Sequence, residues 1–164
     1  MATAFDTLIK LNALIQEGIN ILSTLNQLLE REHQALTDRD LNAISEINQE
    51  KHSTLELFDK NNQARAACLS EANVPNSKEG IKSILAKLND AHQTQLFAKQ
   101  WHLLESTLKE VMDANKRNEL ILMRQRQSLE QFIGALQGQK PANKLYTAKG
   151  ATGNYTGQSR LGKA

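Results

Sequence analysis

The chain has 164 residues, of which 40% are hydrophobic but only 4% aromatic, with two prolines and eight glycines. That length is one domain with an aliphatic core, and the scarcity of proline and of β-branched runs points to an all-α fold. The net charge of +2 is unevenly spread: residues 138–164 carry five Lys/Arg and no acid, which leaves −3 upstream and argues against a nucleic-acid surface there.

From Thr3 to Leu36 a heptad stripe predicts one long helix. Leu8, Ile15, Leu22, Leu29 and Leu36 fall seven apart, with Leu11 and Leu25 interleaved and Gly18 and Glu32 as exceptions. Leu14, Ile21 and Leu28 widen the stripe on one side, as the face of a bundle helix requires. Thr37-Asp38-Arg39-Asp40 breaks the pattern, and Asp38 or Asp40 can cap the next helix by accepting its free N–H groups. The second stripe is predicted as Leu41, Ile44, Asn48, Lys51, Leu55, Phe58, Asn62, Arg65 and Leu69. The short break makes the first two helices an antiparallel hairpin.

Asn73-Val74-Pro75-Asn76-Ser77 reads as a turn with Ser77 as an N-cap, before a short helix carrying Ile81, Ile84, Leu85 and Leu88 on one face. The pattern weakens around Asn89–Thr94, where a kink or short loop is expected. The last helix is the most regular: Phe97, Trp101, Leu104, Leu108, Val111, Asn115, Asn118, Leu122, Gln125, Leu129, Phe132 and Leu136 keep 3/4 spacing. Gly138 stops it and Pro141 keeps it stopped. The reading is an elongated antiparallel all-α bundle over residues 1–137, with helices at roughly 3–37, 40–72, 77–89 and 94–137. A flexible, basic, glycine-rich tail covers 138–164.

Chemistry is sparse. The single Cys68 excludes an internal disulfide and a cysteine zinc cluster, and its apolar surroundings suggest a buried, inert thiol. Glu30-Arg31-Glu32-His33 has the Glu-x-x-His spacing of di-iron bundles, but no second copy accompanies it. No nucleophile–base set or phosphate loop is present, so no enzyme, metal or cofactor is expected. The N-terminus lacks a basic n-region, and no apolar run could span a bilayer, so a cytoplasmic protein is expected.

Two segments point to binding. Asn115, Asn118 and Gln125 interrupt the last stripe, either to fix register or because the stripe there faces a groove or partner. Beside them Leu120-Ile121-Leu122-Met123 surrounds the helix, so one side cannot bury all four, and the excess suits docking of an amphipathic helix. In the tail, Leu145 and Tyr146 form an apolar pair ahead of Gly150, in the manner of a short linear motif. The stripes suit either a chain closed on itself or a homodimer.

Four stretches together resemble the flagellar synthesis chaperone family FlgN. They are Leu28 to Leu36 with Arg39-Asp40; Lys51 with Leu55, Phe58 and Arg65; Trp101-His102-Leu103-Leu104 with Asn115-Lys116-Arg117-Asn118; and Leu145-Tyr146 with Gly150. Glu119 departs from the glycine common after the second asparagine. The resemblance implies a cytosolic, non-enzymatic type III export chaperone that binds the C-terminal helices of hook–filament junction proteins and blocks their premature assembly. It implies a client contact on the Asn115–Leu136 helix, with Asn115, Asn118, Leu120, Ile121 and Met123 singled out. It also implies delivery to the export-gate membrane component through Leu145, Tyr146 and Gly150. A helical adaptor, or a chaperone for another type III substrate, is the alternative.

Overall fold

A computed structural model describes residues 4–88 and 90–137. Among them are four helices and no strand: α1 (Ala4–Asp38), α2 (Leu41–Glu71), α3 (Lys78–Leu88) and α4 (Ala91–Leu136). The fold is all-α. Cα packing divides it into a first unit through Ile121 and a second from Leu122 onward.

Local chemistry sets each boundary. Arg39 adopts φ 58 at the end of α1, and the Asp40 N–H reaches back to the Ala35 carbonyl at 3.0 Å. Asn73 repeats the device after α2 with φ 54, and the Val74 N–H reaches the Leu69 carbonyl at 2.9 Å. Both are left-handed helix terminations that consume orphan carbonyls. Of the two candidate caps for α2, Asp40 serves: its Oδ1 accepts the Ala43 N–H at 3.0 Å. Asp38 ends α1 and accepts from Gln34 instead. Ser77 caps α3 by accepting the Gly80 N–H at 3.1 Å. Asp90 caps α4, accepting the His92 and Gln93 N–H groups at 2.9 and 3.1 Å, so that helix starts three residues before Thr94.

α1 is the central element of the first unit. Leu8, Leu11, Ile15, Leu22, Leu25, Leu29 and Leu36 are all buried, as their spacing predicts. α2 runs antiparallel to it, joined at the surface by Lys10–Glu71 at 3.0 Å and Arg31–Glu50 at 3.1 Å. Such exposed pairs add little. α3 inserts Ile81 and Ile84 into the same core, and α4 adds Phe97, Leu104, Val111 and Ala114.

The face that α2 buries differs from the predicted stripe. Ile44, Lys51, Phe58 and Arg65 belong to it, but the residues between them are Ile47, Thr54, Asn61 and Cys68, not Asn48, Leu55 and Asn62. Leu41 and Leu55 point outward, 78% and 48% exposed. Polar residues can take these buried sites because each is satisfied. The Thr54 hydroxyl donates to the Glu50 carbonyl at 2.8 Å, and the Asn61 amide donates to the Leu14 carbonyl at 2.9 Å. A hydrogen-bonded buried amide costs far less than an orphaned one.

Two polar layers cross the first unit, and they explain both gaps in the α1 heptad. In one, a Cβ on Gly18 would lie 2.6 Å from Arg65 Nη1, 2.9 Å from Asn61 Oδ1 and 3.2 Å from Leu104 Cδ1. Glycine leaves room for these groups. Arg65 donates to Asn61 and Asn62, and its guanidinium sits 5.5 Å from the Phe58 ring centroid. Burial pushes its pKa down from the ordinary value. In the other layer, the buried Glu32 accepts from Lys51 Nζ at 2.8 Å and from Asn118 Nδ2 at 2.9 Å. Gly18 and Glu32 on α1, Arg65 and Lys51 on α2, and Leu104 and Asn118 on α4 are each two heptads apart. Each layer therefore draws on the same three helices, with α1 and α4 running parallel.

Candidate docking surface on α4

α4 carries an apolar stripe whose surroundings change along its length. In the first unit Phe97, Leu104, Val111, Ala114 and Asn118 are buried, and Trp101 stacks on Phe97 with ring centroids 6.2 Å apart. In the second unit the 3/4 spacing continues, but no described residue is buried. Leu122, Leu129, Phe132, Ile133 and Leu136 stand 45%, 59%, 62%, 43% and 72% exposed. Their rows lie within roughly 100° of the helix circumference, the width of a face that normally meets a bundle. Around it Arg126 Nε pairs with Glu130 at 3.0 Å, one turn away and exposed.

The residues singled out from sequence fall into three groups. Asn118 is interior, 1% exposed. Its Nδ2 donates to the Leu29 carbonyl at 2.8 Å and to Glu32, so it serves the register of the first unit. Asn115 is half-buried and donates to Glu119 Oε1 at 2.8 Å along its own helix. In the run 120–123, Ile121 is half-buried, while Leu120, Leu122 and Met123 are 44%, 45% and 55% exposed. Leu145, Tyr146 and Gly150 lie outside the described residues.

Sequence reasoning placed the whole Asn115–Leu136 helix at the client contact, with Leu129, Phe132 and Leu136 on its stripe, but singled out none of these three as a site residue. One signal could have raised them. α4 has 46 residues against 35 in α1, and its 3/4 spacing persists to the last turn.

Elsewhere the chemistry is structural. Glu30 of the Glu-x-x-His pair is held by Arg117 Nη2 at 3.0 Å. Among the described residues no group of three or more His, Cys, Asp or Glu could hold a metal ion. A shallow cleft of about 270 Å³ lies between α3 and α4, floored by Ile81, Leu85, Phe97 and Trp101 and rimmed by Lys82, His102 and Glu105. Glu105 Oε1 accepts the Trp101 indole N–H at 3.0 Å, which ties that carboxylate to fixing the ring. No helix among the described residues is long and apolar enough to cross a membrane.

The sequence matches the FlgN protein family over residues 1–154. The fold is similar to the crystal structure of a Pseudomonas aeruginosa protein assigned to flagella synthesis as an FlgN protein. The TM-score is 0.59 and the identity 30%, over 67% of this chain and 84% of the other. No curated protein sequence matches the chain. A family match across nearly the whole sequence, with a solved neighbour that shares both sequence and fold, assigns the chain to flagellum synthesis: it belongs to the FlgN family.

Proposed function

We propose that the protein is a non-enzymatic, cytosolic export chaperone that holds amphipathic helices of hook–filament junction proteins on the outer half of α4. One observation carries this reading: the apolar face from Leu122 to Leu136, interrupted at Gln125, whose Leu122, Leu129, Phe132, Ile133 and Leu136 are all exposed. A junction protein whose terminal helices are not yet assembled has apolar faces to hide. A complementary helix face covers them and delays self-association. At about 25 cal/mol per Å², burying several hundred Å² of apolar surface supplies several kcal/mol before the costs of association. Asn115, Leu120, Ile121 and Met123 are assigned to the client contact as well, on the FlgN membership, with Leu120 on the far side of the helix from the Leu122–Leu136 rows. Asn118 acts indirectly, by holding the helix that presents the face. Delivery to the export-gate membrane component is assigned to the tail, with Leu145, Tyr146 and Gly150 as the contact. The FlgN membership supports both assignments.

The test is calorimetric titration of the full chain with purified junction proteins, intact and lacking their C-terminal helices, using wild type and Leu129→Ala/Phe132→Ala. Fully burying a Leu or Phe contributes about 1.5–3 kcal/mol. With three-fifths of each side chain available, the double variant should bind roughly twentyfold to several hundredfold more weakly, with unchanged helicity. Undiminished affinity, or no binding by the wild-type chain, refutes the assignment. Tyr146→Ala should leave client affinity unchanged while reducing export.

A further inference from the structure

Two buried asparagines of the first unit make the same set of bonds. On α2, Asn61 Nδ2 donates to the Leu14 carbonyl at 2.9 Å and to Glu17 Oε2 at 3.1 Å. On α4, Asn118 Nδ2 donates to the Leu29 carbonyl at 2.8 Å and to Glu32 Oε2 at 2.9 Å. Each amide thus reads the carbonyl of a leucine on α1 and the carboxylate three residues further on. In each case an arginine donates to the amide oxygen: Arg65 to Asn61, and Arg117 to Asn118 at 3.4 Å. Arg117 also holds Glu30, the residue after Leu29, at 3.0 Å. The repetition has a physical reason. A helix carbonyl keeps a second lone pair after its own ladder bond, and a side chain three residues on lies over the same face. One amide can bridge the two, and the carboxylate makes its bond charge-assisted.

α4 carries the same two residue types again. Arg124-Gln125 stands seven residues after Arg117-Asn118, so each residue falls on the row of its counterpart. Gln125 is the polar member of the stripe Leu122, Gln125, Leu129, Phe132, Leu136; it is half-buried and Arg124 is exposed. Gln125 has a partner of its own within the protein. A carboxamide has two N–H donors and an acceptor oxygen, and Asn118 serves three partners at once, so one bond leaves capacity for another. The acid that a third copy needs is missing from α1. Seven residues after Leu29 and Glu32 stand Leu36 and Arg39, so the leucine recurs and the carboxylate does not.

We infer that Gln125, with Arg124 beside it, is the specificity-determining point of the docking face and reads an acidic residue on the client helix. The inference deepens the chaperone reading and rests on it. The occupant is an amphipathic helix that sets Asp or Glu three residues after an apolar residue, opposite Gln125. Its apolar side covers Leu129 and Phe132, its carboxylate accepts from the Gln125 amide, and Arg124 supplies the positive charge that Arg117 supplies upstream. A helix without that acid covers the leucines but leaves the amide facing apolar atoms, and binds more weakly for it. The amide and its acid also fix the register of the docked helix, because a shift of one residue carries the carboxylate out of reach.

The experiment is calorimetric titration of the full chain with purified hook–filament junction proteins, comparing Gln125→Leu, Gln125→Glu and Arg124→Glu with Gln127→Glu. Gln127 is exposed on the opposite side of the helix, and its variant makes the same chemical change away from the face. Circular dichroism melts verify that each variant is folded, and the exposed Arg124 gives a variant that leaves the stripe untouched. A purely apolar site predicts tighter binding by Gln125→Leu, because leucine completes the stripe. An acid-reading amide predicts the opposite sign. Binding weaker by about tenfold or more for the Gln125 and Arg124 variants, with less than about threefold for Gln127→Glu, is the expected result. Gln125→Leu binding as tightly as wild type or more tightly, while Leu129→Ala/Phe132→Ala still weakens binding, overturns the acidic client helix and leaves the docking reading standing. Loss of binding in no variant, the double alanine included, overturns both.

Discussion

Replacing Glu32 with alanine tests the central layer of the first unit most directly. The Glu32 carboxylate is almost wholly buried and accepts from Lys51 at 2.8 Å and from Asn118 at 2.9 Å. Its removal strands a largely buried ammonium and strips the Asn118 amide of one of its two acceptors. Breaking a buried ion pair from one side costs about 3–5 kcal/mol, because the surviving charge keeps its desolvation penalty. For a chain of this size each kcal/mol lowers Tm by about 2–4 °C, so Glu32→Ala should melt about 6–20 °C below wild type. Circular dichroism at 222 nm through thermal and urea unfolding measures this. Replacing the whole layer, Glu32→Leu with Lys51→Leu and Asn118→Leu, removes every buried polar group together. It should recover most of the loss or exceed wild type. A loss below about 1 kcal/mol for Glu32→Ala, with no rescue in the triple variant, would refute the claim that this layer is a closed, desolvated network.

Gly18→Leu restores the residue that the α1 heptad calls for, yet it should destabilise by at least the roughly 1–3 kcal/mol of an overpacked core. Arg65, Asn61 and Leu104 already occupy that space, and urea denaturation measures the effect. Burial pushes the Cys68 thiol above its ordinary value of 9.0, with the nearby Lys10 opposing and Glu71 reinforcing. Because the raised value belongs to the folded state, its stabilising contribution is complete below about pH 9 and is lost as pH rises toward the folded value. Unfolding midpoints should therefore fall across that alkaline window, and Cys68→Ala should flatten the decline. Iodoacetamide at pH 8 should label native Cys68 far more slowly than the urea-unfolded chain.

The four-helix order and the phase of α1 were legible from spacing, since seven leucines and isoleucines at heptad positions admit one buried face. Two caps were legible for the same local reason: Asp40, one of two candidates, and Ser77 act on N–H groups three residues away, whereas the Asp90 cap lay in a stretch read as a kink or loop. The phase of α2 was not legible. Ile44, Lys51, Phe58 and Arg65 fit two interleaved stripes, and hydrophobicity favours the one through Leu55. Tertiary contacts chose the other, because Asn61 finds the Leu14 carbonyl and Thr54 satisfies itself within its own helix. The amides of α4 behave likewise. Asn115 and Asn118 look alike in sequence, but only Asn118 stands opposite Glu32 and the Leu29 carbonyl, so only it is interior.

By itself the sequence determined the helices, the caps of α2 and α3, the α1–α2 hairpin and the run of apolar spacing to Leu136. All of these depend on neighbours within one or two turns. Tertiary structure alone decided why Gly18 and Glu32 interrupt the stripe, which amides pay their desolvation cost, and where the α4 face passes from buried to bare. Those outcomes depend on what lies opposite a residue, and the opposing residue is up to 89 positions away in the chain.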